Sequence, residues 1–273
     1  MQKLSYNKSH NYTITKTIYE TQDGESKFFE AFDEEEKRKV GIKSLDVPKK
    51  DLQNAKTEAQ MLNYFANKTT SIPALYSTYY DEKNERFYLI MQLIEEGRTL
   101  EQLLKGKLPL RQGLQIMINL CDSLSILHQK KYQHRDLKPA NIMVQKNNQV
   151  YLIDFNLSTR VPFAGEGTDF YRAPEQSEYV FGIGQDRADI FSVGVLLYEI
   201  ATGEVPAPGK HYQVDFDDQR EWKVFYPPKD INNKIPGQVS ELIEKCMKLN
   251  PEERPKDANQ LKRELIKVIK GVK

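Results

Sequence analysis

The sequence predicts an α+β protein with a small β-rich lobe that carries one helix, followed by a larger α-helical lobe. Runs rich in aromatic and β-branched residues, typical of strands, occupy the chain before residue 97. Apolar residues at helical spacing dominate after it. A chain of 273 residues can hold two lobes in one domain. We therefore expect a single domain over 1–273, with an N-lobe of about 1–91, a hinge of about 92–97 and a C-lobe of about 98–273.

Strands alternate with polar turns in the first lobe. The polar run 81–86 separates the last two strands and predicts a hairpin. A helix is expected within Lys50–Asn67, where apolar residues recur at steps of three and four. The predicted strands are Asn11–Ile18, Lys27–Phe32, Val40–Leu45, Leu75–Tyr80 and Phe87–Leu93.

Helices are predicted through most of the second lobe. Apolar residues recur at helical spacing from Leu114 to Leu127, which is typical of a helix with one buried face. Ala188–Ile200 would be a helix with apolar residues on nearly every side, as expected of a helix at the centre of a domain. The basic segment Leu261–Lys273 is interpreted as the solvated face of a terminal helix.

Charge and cysteine content bear on partners and compartment. The 40 basic residues are balanced by 39 acidic ones. The protein therefore has no strong net electrostatic field that would attract nucleic acid. Cys121 and Cys246 lie in apolar-periodic segments, where free thiols are buried, as in a reducing cytosol. No apolar run reaches the ~20 residues of a membrane span, and the N-terminus lacks a signal-peptide core. We therefore expect a cytoplasmic protein with no membrane span.

Residues suited to phosphoryl transfer cluster in two neighbouring segments. Residues 134–141 read His-Arg-Asp-Leu-Lys-Pro-Ala-Asn and contain Asp136, Lys138 and Asn141, while Asp154 follows a short apolar run. Phosphoryl transfer needs a carboxylate that orients the attacking hydroxyl, oxygen ligands for Mg²⁺ and a cation near the phosphate. These residues supply that set.

Residues 134–141 resemble the catalytic loop of the eukaryotic-like protein kinases at all eight positions. Gly167–Glu175 and Asp189–Gly194 resemble two further motifs of that family, and the resemblance extends from Tyr12 to about Ile269. It implies the bilobal protein-kinase-like fold and the ATP-dependent phosphorylation of serine or threonine in a protein substrate.

The resemblance assigns a role to each catalytic residue. Asp136 would be the base that orients the substrate hydroxyl, and Lys138 would be the cation near the transferred phosphate. Asn141 and Asp154 would hold Mg²⁺. ATP and Mg²⁺ are therefore the implied cofactors. Lys138 also indicates serine or threonine rather than tyrosine as the acceptor.

The same resemblance implies an ATP site in the cleft between the lobes. Lys43 would contact the α- and β-phosphates, with Glu58 as its ion-pair partner. Met91 would lie at the back of the adenine pocket, and the backbones of Gln92 and Ile94 would contact the adenine edge. The residues assigned to nucleotide binding are Lys43, Glu58, Met91, Gln92, Ile94 and Met143.

The sequence departs from the family pattern at three places. Gly24 is the only glycine where a glycine-rich phosphate loop is expected, and the neighbouring acids should weaken phosphate binding there. Gly41 replaces the usual alanine and is expected to keep the space under the adenine open. Asn156 replaces a glycine, although asparagine tolerates a left-handed backbone.

Other motif residues are assigned structural or regulatory roles by the resemblance. His134 should be a packed core residue, and Glu175 should form a buried pair with Arg254. The family pairs Arg135 with a phosphorylated residue. Since residues 160–167 contain no hydroxyl side chain, we expect Glu166 either to replace that phosphate or to be simply solvated.

Two alternative functions remain open at this point. The glycine-poor loop and Asn156 would also fit a catalytically impaired kinase-like scaffold. A small-molecule kinase of related fold would share the carboxylates and the amide. The segment Thr168–Glu175 with Arg254 favours a protein kinase, because small-molecule kinases generally lack this peptide-positioning segment.

Overall fold

A computed structural model of the chain describes residues 3–6, 10–154, 170–176, 187–208, 210–217 and 220–272. It confirms the α+β class, with a sheet in the N-terminal part and helices in the C-terminal part. The chain divides into two compact units, Met1–Glu96 and Gly97–Lys273.

The first unit is an antiparallel six-stranded sheet with one helix. The strands lie in the spatial order β1-β2-β3-β4-β6-β5, and β5 and β6 form the predicted hairpin. The five predicted strands are confirmed as β2 to β6, whereas the sequence pattern does not predict β1. The strands are Lys3–Tyr6 (β1), His10–Glu20 (β2), Ser26–Asp33 (β3), Arg38–Asp46 (β4), Leu75–Asp81 (β5) and Arg86–Gln92 (β6).

The sheet has one face on a hydrophobic core. Val40 and Ile42 of β4 belong to this core. Because successive side chains of a strand point to opposite faces, Gly41 and Lys43 belong to the other face. Cross-strand pairing places Met91 opposite Gly41. The buried residues of the core cluster are Tyr12, Ala31, Val40, Ile42 and Ile90.

The helix of the first unit, α1 (Leu52–Ala66), packs against β5 and β6. Its buried residues are Ala55, Ala59, Leu62 and Phe65, which recur at steps of four and three. This spacing lines one face of a helix and confirms the predicted amphipathic helix.

Helices are the main regular elements in the described part of the second unit. α3 packs against α4 and α7, and α4 also packs against α6. The two long predicted helices are confirmed as α3 and α4, and α4 is buried along nearly its whole length. The helices are Leu100–Leu104 (α2), Leu110–Gln129 (α3), Ala188–Thr202 (α4), Pro228–Ile231 (α5), Gly237–Cys246 (α6) and Ala258–Val268 (α7).

The described part of the second unit also contains two small sheets. A three-stranded sheet orders β7 (Arg98–Thr99), β8 (Ile142–Val144) and β9 (Val150–Leu152). A hairpin joins β10 (Tyr212–Asp217) to β11 (Arg220–Phe225). This hairpin is not among the predicted elements, although apolar and polar residues alternate there with the period of two that is typical of strands.

Two further expectations can be compared with the described residues. Cys121 and Cys246 are both free and buried, as predicted. None of the helices in the described ranges combines the length and the apolar character needed to cross a membrane.

Candidate active site

Asp136 lies in the irregular segment between α3 and β8, and two polar side chains hold its carboxylate. Lys138 Nζ lies 3.0 Å from Asp136 Oδ2. Asn141 Nδ2 donates to the same oxygen at 3.1 Å and to the Asp136 carbonyl at 2.9 Å. Because the Asp136 side chain is still 15% exposed, it is both held in place and accessible to solvent.

The β8–β9 ladder brings Asn141 and Asp154 together. Asn141 precedes β8, Asp154 follows β9, and Ile142 pairs with Leu152. The ladder continues beyond the strands, because the Ile153 N–H donates to the Asn141 carbonyl at 3.0 Å. Sequence spacing alone does not show this proximity, which depends on the strand register.

The chemistry of these two side chains fits Mg²⁺. Asn141 uses its amide nitrogen toward Asp136, which leaves the amide oxygen as its possible metal ligand. Asp154 adds a carboxylate, and Mg²⁺ prefers such oxygen ligands together with water and phosphate oxygens. Within the described ranges, no three His, Cys, Asp or Glu side chains form a separate metal cluster.

A buried carboxylate, Asp189 of α4, holds the backbone that leads to Asp136. Its Oδ2 accepts a hydrogen bond from the His134 N–H and its Oδ1 from the Arg135 N–H, both at 2.8 Å. Asp189 Oδ2 also lies 2.9 Å from His128 Nε2. Burial alone would raise the pKa of Asp189, but His128 and the other partners hold this pKa below its usual value. Asp189 therefore stays ionised and anchors the backbone of His134 and Arg135.

Arg135 and Asp154 both adopt positive φ angles although neither is a glycine, 65° at Arg135 and 64° at Asp154. Such a conformation is uncommon and persists where surrounding contacts hold it. His134 contributes one contact, since its Nε2 lies 3.3 Å from the Ile153 carbonyl. Its complete burial confirms the prediction of a packed core histidine.

Glu175 and Arg254 form the predicted buried pair. The two terminal guanidinium nitrogens of Arg254 donate to the two carboxylate oxygens of Glu175 at 2.6 and 2.8 Å. Both side chains are almost fully buried, at 0% exposure for Arg254 and 3% for Glu175. This bidentate pair joins residues 170–176 to the segment that precedes α7.

The residues assigned to nucleotide binding divide between the units. Met143 lies on β8 in the second unit, and the others belong to the first unit. Lys43 lies on β4 and Glu58 on α1, and both side chains are partly buried. The N–H of Gln92 donates to the Ala74 carbonyl at 2.8 Å, so only the Gln92 carbonyl could contact a base edge.

The turn that replaces the glycine-rich loop satisfies its own amides. The Thr21 N–H donates to the Ser26 carbonyl and the Gly24 N–H to the Thr21 carbonyl, both at 2.9 Å. Asp23 Oδ1 accepts the Glu25 N–H at 2.9 Å, and Thr21 Oγ1 accepts the Ser26 N–H at 3.0 Å. These four amides therefore already have acceptors within the turn.

Side chains from outside the turn also hold it. Arg86 of β6 donates to the carbonyls of Gly24 at 3.1 Å and Glu25 at 3.3 Å. Lys27 forms a 2.8 Å ion pair with Glu20, one of the acids expected to repel phosphate. This turn is thus fastened to the sheet, which the sequence did not predict.

The expectation that Gly41 leaves open space is wrong. A Cβ built on Gly41 would lie 2.5 Å from Phe28 Cζ, closer than carbon atoms approach. The Phe28 ring therefore fills the space that the usual alanine would enter. Phe28 pairs directly with Lys43 across β3 and β4, so the ring lies on the same face of the sheet as Lys43.

Some predicted residues cannot be compared with the structure. Asn156, Glu166 and Thr168 lie outside the described residues. Gln176, whose buried side chain donates to the Arg135 carbonyl, is not among the predicted residues. No local pattern marks that glutamine.

Comparison with known proteins decides the family. The sequence model described as protein kinase domain matches residues 22–266. The chain belongs to this family. The match spans both units and includes the catalytic loop, Asp154, and the Glu175–Arg254 pair of this kinase domain.

Several bacterial proteins are similar to this kinase domain. The serine/threonine-protein kinase PknB of Mycobacterium leprae is 32% identical over 196 residues, which is 67% of this chain and 30% of that protein. PknB of Mycolicibacterium smegmatis is 32% identical over 197 residues, 67% of this chain and 31% of that protein. The probable serine/threonine-protein kinase CPE1738 of Clostridium perfringens is 32% identical over 200 residues, 67% of this chain and 27% of that protein. The chain thus spans about 30% of the length of such relatives.

Proposed function

We propose that residues 1–273 form one protein kinase domain that transfers the γ-phosphate of ATP to serine or threonine in a protein. The observation that carries this proposal is the Asp136 carboxylate, held by Lys138 and Asn141 next to the strand end that bears Asp154. The names of the similar bacterial proteins support serine and threonine as acceptors.

The residues around Asp136 suit the transfer step. Asp136 would accept a hydrogen bond from the acceptor hydroxyl and take its proton as the oxygen attacks the γ-phosphorus and the bond to ADP breaks. Lys138 lies 3.0 Å from Asp136 Oδ2, where its ammonium could also stabilise the transferred phosphoryl group. Asn141 and Asp154 would hold Mg²⁺, which when bound neutralises charge on the phosphates.

Nucleotide binding is proposed to rely on Lys43 more than on the turn of residues 20–26. Lys43, paired with Glu58, would bind the α- and β-phosphates. Met91, the Gln92 carbonyl, Ile94 and Met143 would contact the base. Four amides of the turn, those of Thr21, Gly24, Glu25 and Ser26, are bonded internally, so they are poor donors to phosphate. We therefore expect modest ATP affinity that depends strongly on Mg²⁺.

Phosphotransfer to a peptide tests the assignment of the base. Asp136→Asn should lower kcat by at least about 10³-fold while the Kd for ATP changes less than about threefold, because the base acts on the acceptor. Asp122→Asn, an exposed position on α3, is the matched control and should retain wild-type kcat. Substantial turnover by Asp136→Asn would show that another group acts as base.

The same purified chain separates the kinase from the impaired scaffold. A scaffold would leave a serine or threonine peptide unmodified even in saturating Mg²⁺ and ATP, whereas a small-molecule kinase would phosphorylate only low-molecular-weight acceptors. Lys43→Ala should abolish peptide phosphorylation if the charged residues act together.

A cytosolic location is also proposed, since two buried free thiols suit a reducing compartment.

A further inference from the structure

The side chain of Gln176 is fully buried and joins two segments of the second unit. Its Oε1 accepts a hydrogen bond from the Ala173 N–H at 3.0 Å, and its Nε2 donates to the Arg135 carbonyl at 3.0 Å. These partners fix the orientation of the amide, because a backbone N–H only donates and a backbone carbonyl only accepts. Gln176 thus links residues 171–176 directly to the residue before Asp136.

Arg135 needs such a link because its backbone is strained. Its φ of 65° is unfavourable for a non-glycine residue and persists only where contacts hold it. Asp189 Oδ1 accepts the Arg135 N–H at 2.8 Å, and Gln176 Nε2 donates to the Arg135 carbonyl. Both partners have 0% exposure, so two buried side chains hold the two polar groups of this backbone.

The Arg135 carbonyl also belongs to the planar peptide that ends at the Cα of Asp136. A rotation about the Arg135 Cα–C bond that is not compensated at the Asp136 N–Cα bond moves Asp136 and turns its carboxylate, because the peptide plane moves as a rigid group. We propose that Gln176 is a positioning residue for phosphoryl transfer: it fixes the Arg135–Asp136 peptide and couples the base to the segment 171–176. This inference rests on the proposed role of Asp136.

Other contacts of the same segment lead elsewhere and supply a control. Tyr171 donates through its hydroxyl to Glu199 Oε2 at 2.7 Å, and its carbonyl accepts from Ser192 Oγ at 2.8 Å. Both partners lie on α4 rather than on the catalytic loop. Tyr171→Phe therefore removes a hydrogen bond from the segment without touching the Arg135–Asp136 peptide.

Kinetics of the full chain distinguish positioning from stability. Gln176→Met keeps the length and removes both hydrogen bonds, and it should lower kcat about 10- to 100-fold, since a shift of about 1 Å at a reacting group costs about that much. Its KM and Kd for ATP should stay within about twofold of wild type. Tyr171→Phe should lower the Tm but keep kcat within about twofold, when both are assayed well below their Tm.

Gln176→Glu adds a readout that a structural role would not produce. The protonated acid can donate to the Arg135 carbonyl and still accept from Ala173, whereas the carboxylate cannot donate. Burial favours the protonated form. The kcat of Gln176→Glu, divided by that of Gln176→Met, should therefore rise as the pH falls from about 8 to about 6.

Three outcomes would overturn the inference: a Gln176→Met kcat within twofold of wild type, equal losses in Gln176→Met and Tyr171→Phe, or a pH-independent kcat ratio. If Gln176→Met does not fold, the pH profile of Gln176→Glu relative to wild type decides alone. Failure of the proposed function looks different, because wild type would then lack phosphotransfer or Asp136→Asn would retain it.

Discussion

Gly41→Ala introduces a methyl group into space that the Phe28 ring already fills. The new Cβ would lie 2.5 Å from Phe28 Cζ and 3.2 and 3.4 Å from the two adjacent ring carbons. The ring must therefore turn away and lose packing on the face of the sheet that carries Lys43. Overpacking of this kind costs about 1–3 kcal/mol, and the strand gains back about 0.5–1 kcal/mol when alanine replaces glycine.

We thus expect Gly41→Ala to lower the free energy of unfolding by about 1–2 kcal/mol in urea titrations followed by circular dichroism. Phe28→Val should relieve the clash, so the double variant should be more stable than the sum of the two single effects by about 1 kcal/mol. Gly237→Ala is the matched control, because its added Cβ meets no atom within 4 Å.

The reasoning would be refuted if Gly41→Ala behaved like Gly237→Ala, or if the Phe28 and Gly41 substitutions were simply additive. Nucleotide binding gives a second check. The Phe28 ring shares its face with Lys43, so Gly41→Ala should also weaken ATP binding, and Phe28→Val should partly restore it.

Three further predictions concern charge. Glu25→Gln should lower the KM for ATP about twofold, since an exposed charge interaction is worth about 0.5 kcal/mol. Asp23→Ala should instead lower the Tm, because it removes the side chain that accepts the Glu25 N–H within the turn. The lowered pKa of Asp189 stabilises the protein above the unfolded pKa of about 4, and this stability is lost as the pH falls through the folded pKa. Asp189→Asn, though less stable at pH 7, should show a shallower acid dependence in urea titrations between about pH 5 and 2. Glu175→Gln should cost about 3–5 kcal/mol in the same titrations at pH 7, because it leaves the buried Arg254 cation without its counter-charge.

Local sequence patterns predicted the regular elements well. The strands of the first unit and the long helices of the second follow from hydrophobic period, because burial of one face is encoded in residues that are near in sequence. The hairpin β10–β11 shows the same kind of pattern, but the helix-like periodicity of the sequence on either side made it harder to recognise. β1 is a four-residue strand, too short for alternation to be distinctive.

The sequence by itself determined the family, the catalytic residue types and the buried Glu175–Arg254 pair, because these lie in motifs with fixed spacing. Only the tertiary structure decided how the Phe28 ring fills the space beside Gly41 and that Gln176 contacts Arg135. These contacts join side chains through strand register or across segments 41 positions apart, as Gln176 and Arg135 are. Neighbouring residues do not encode such contacts, which arise only when helices and sheets pack and each buried polar group must find a partner.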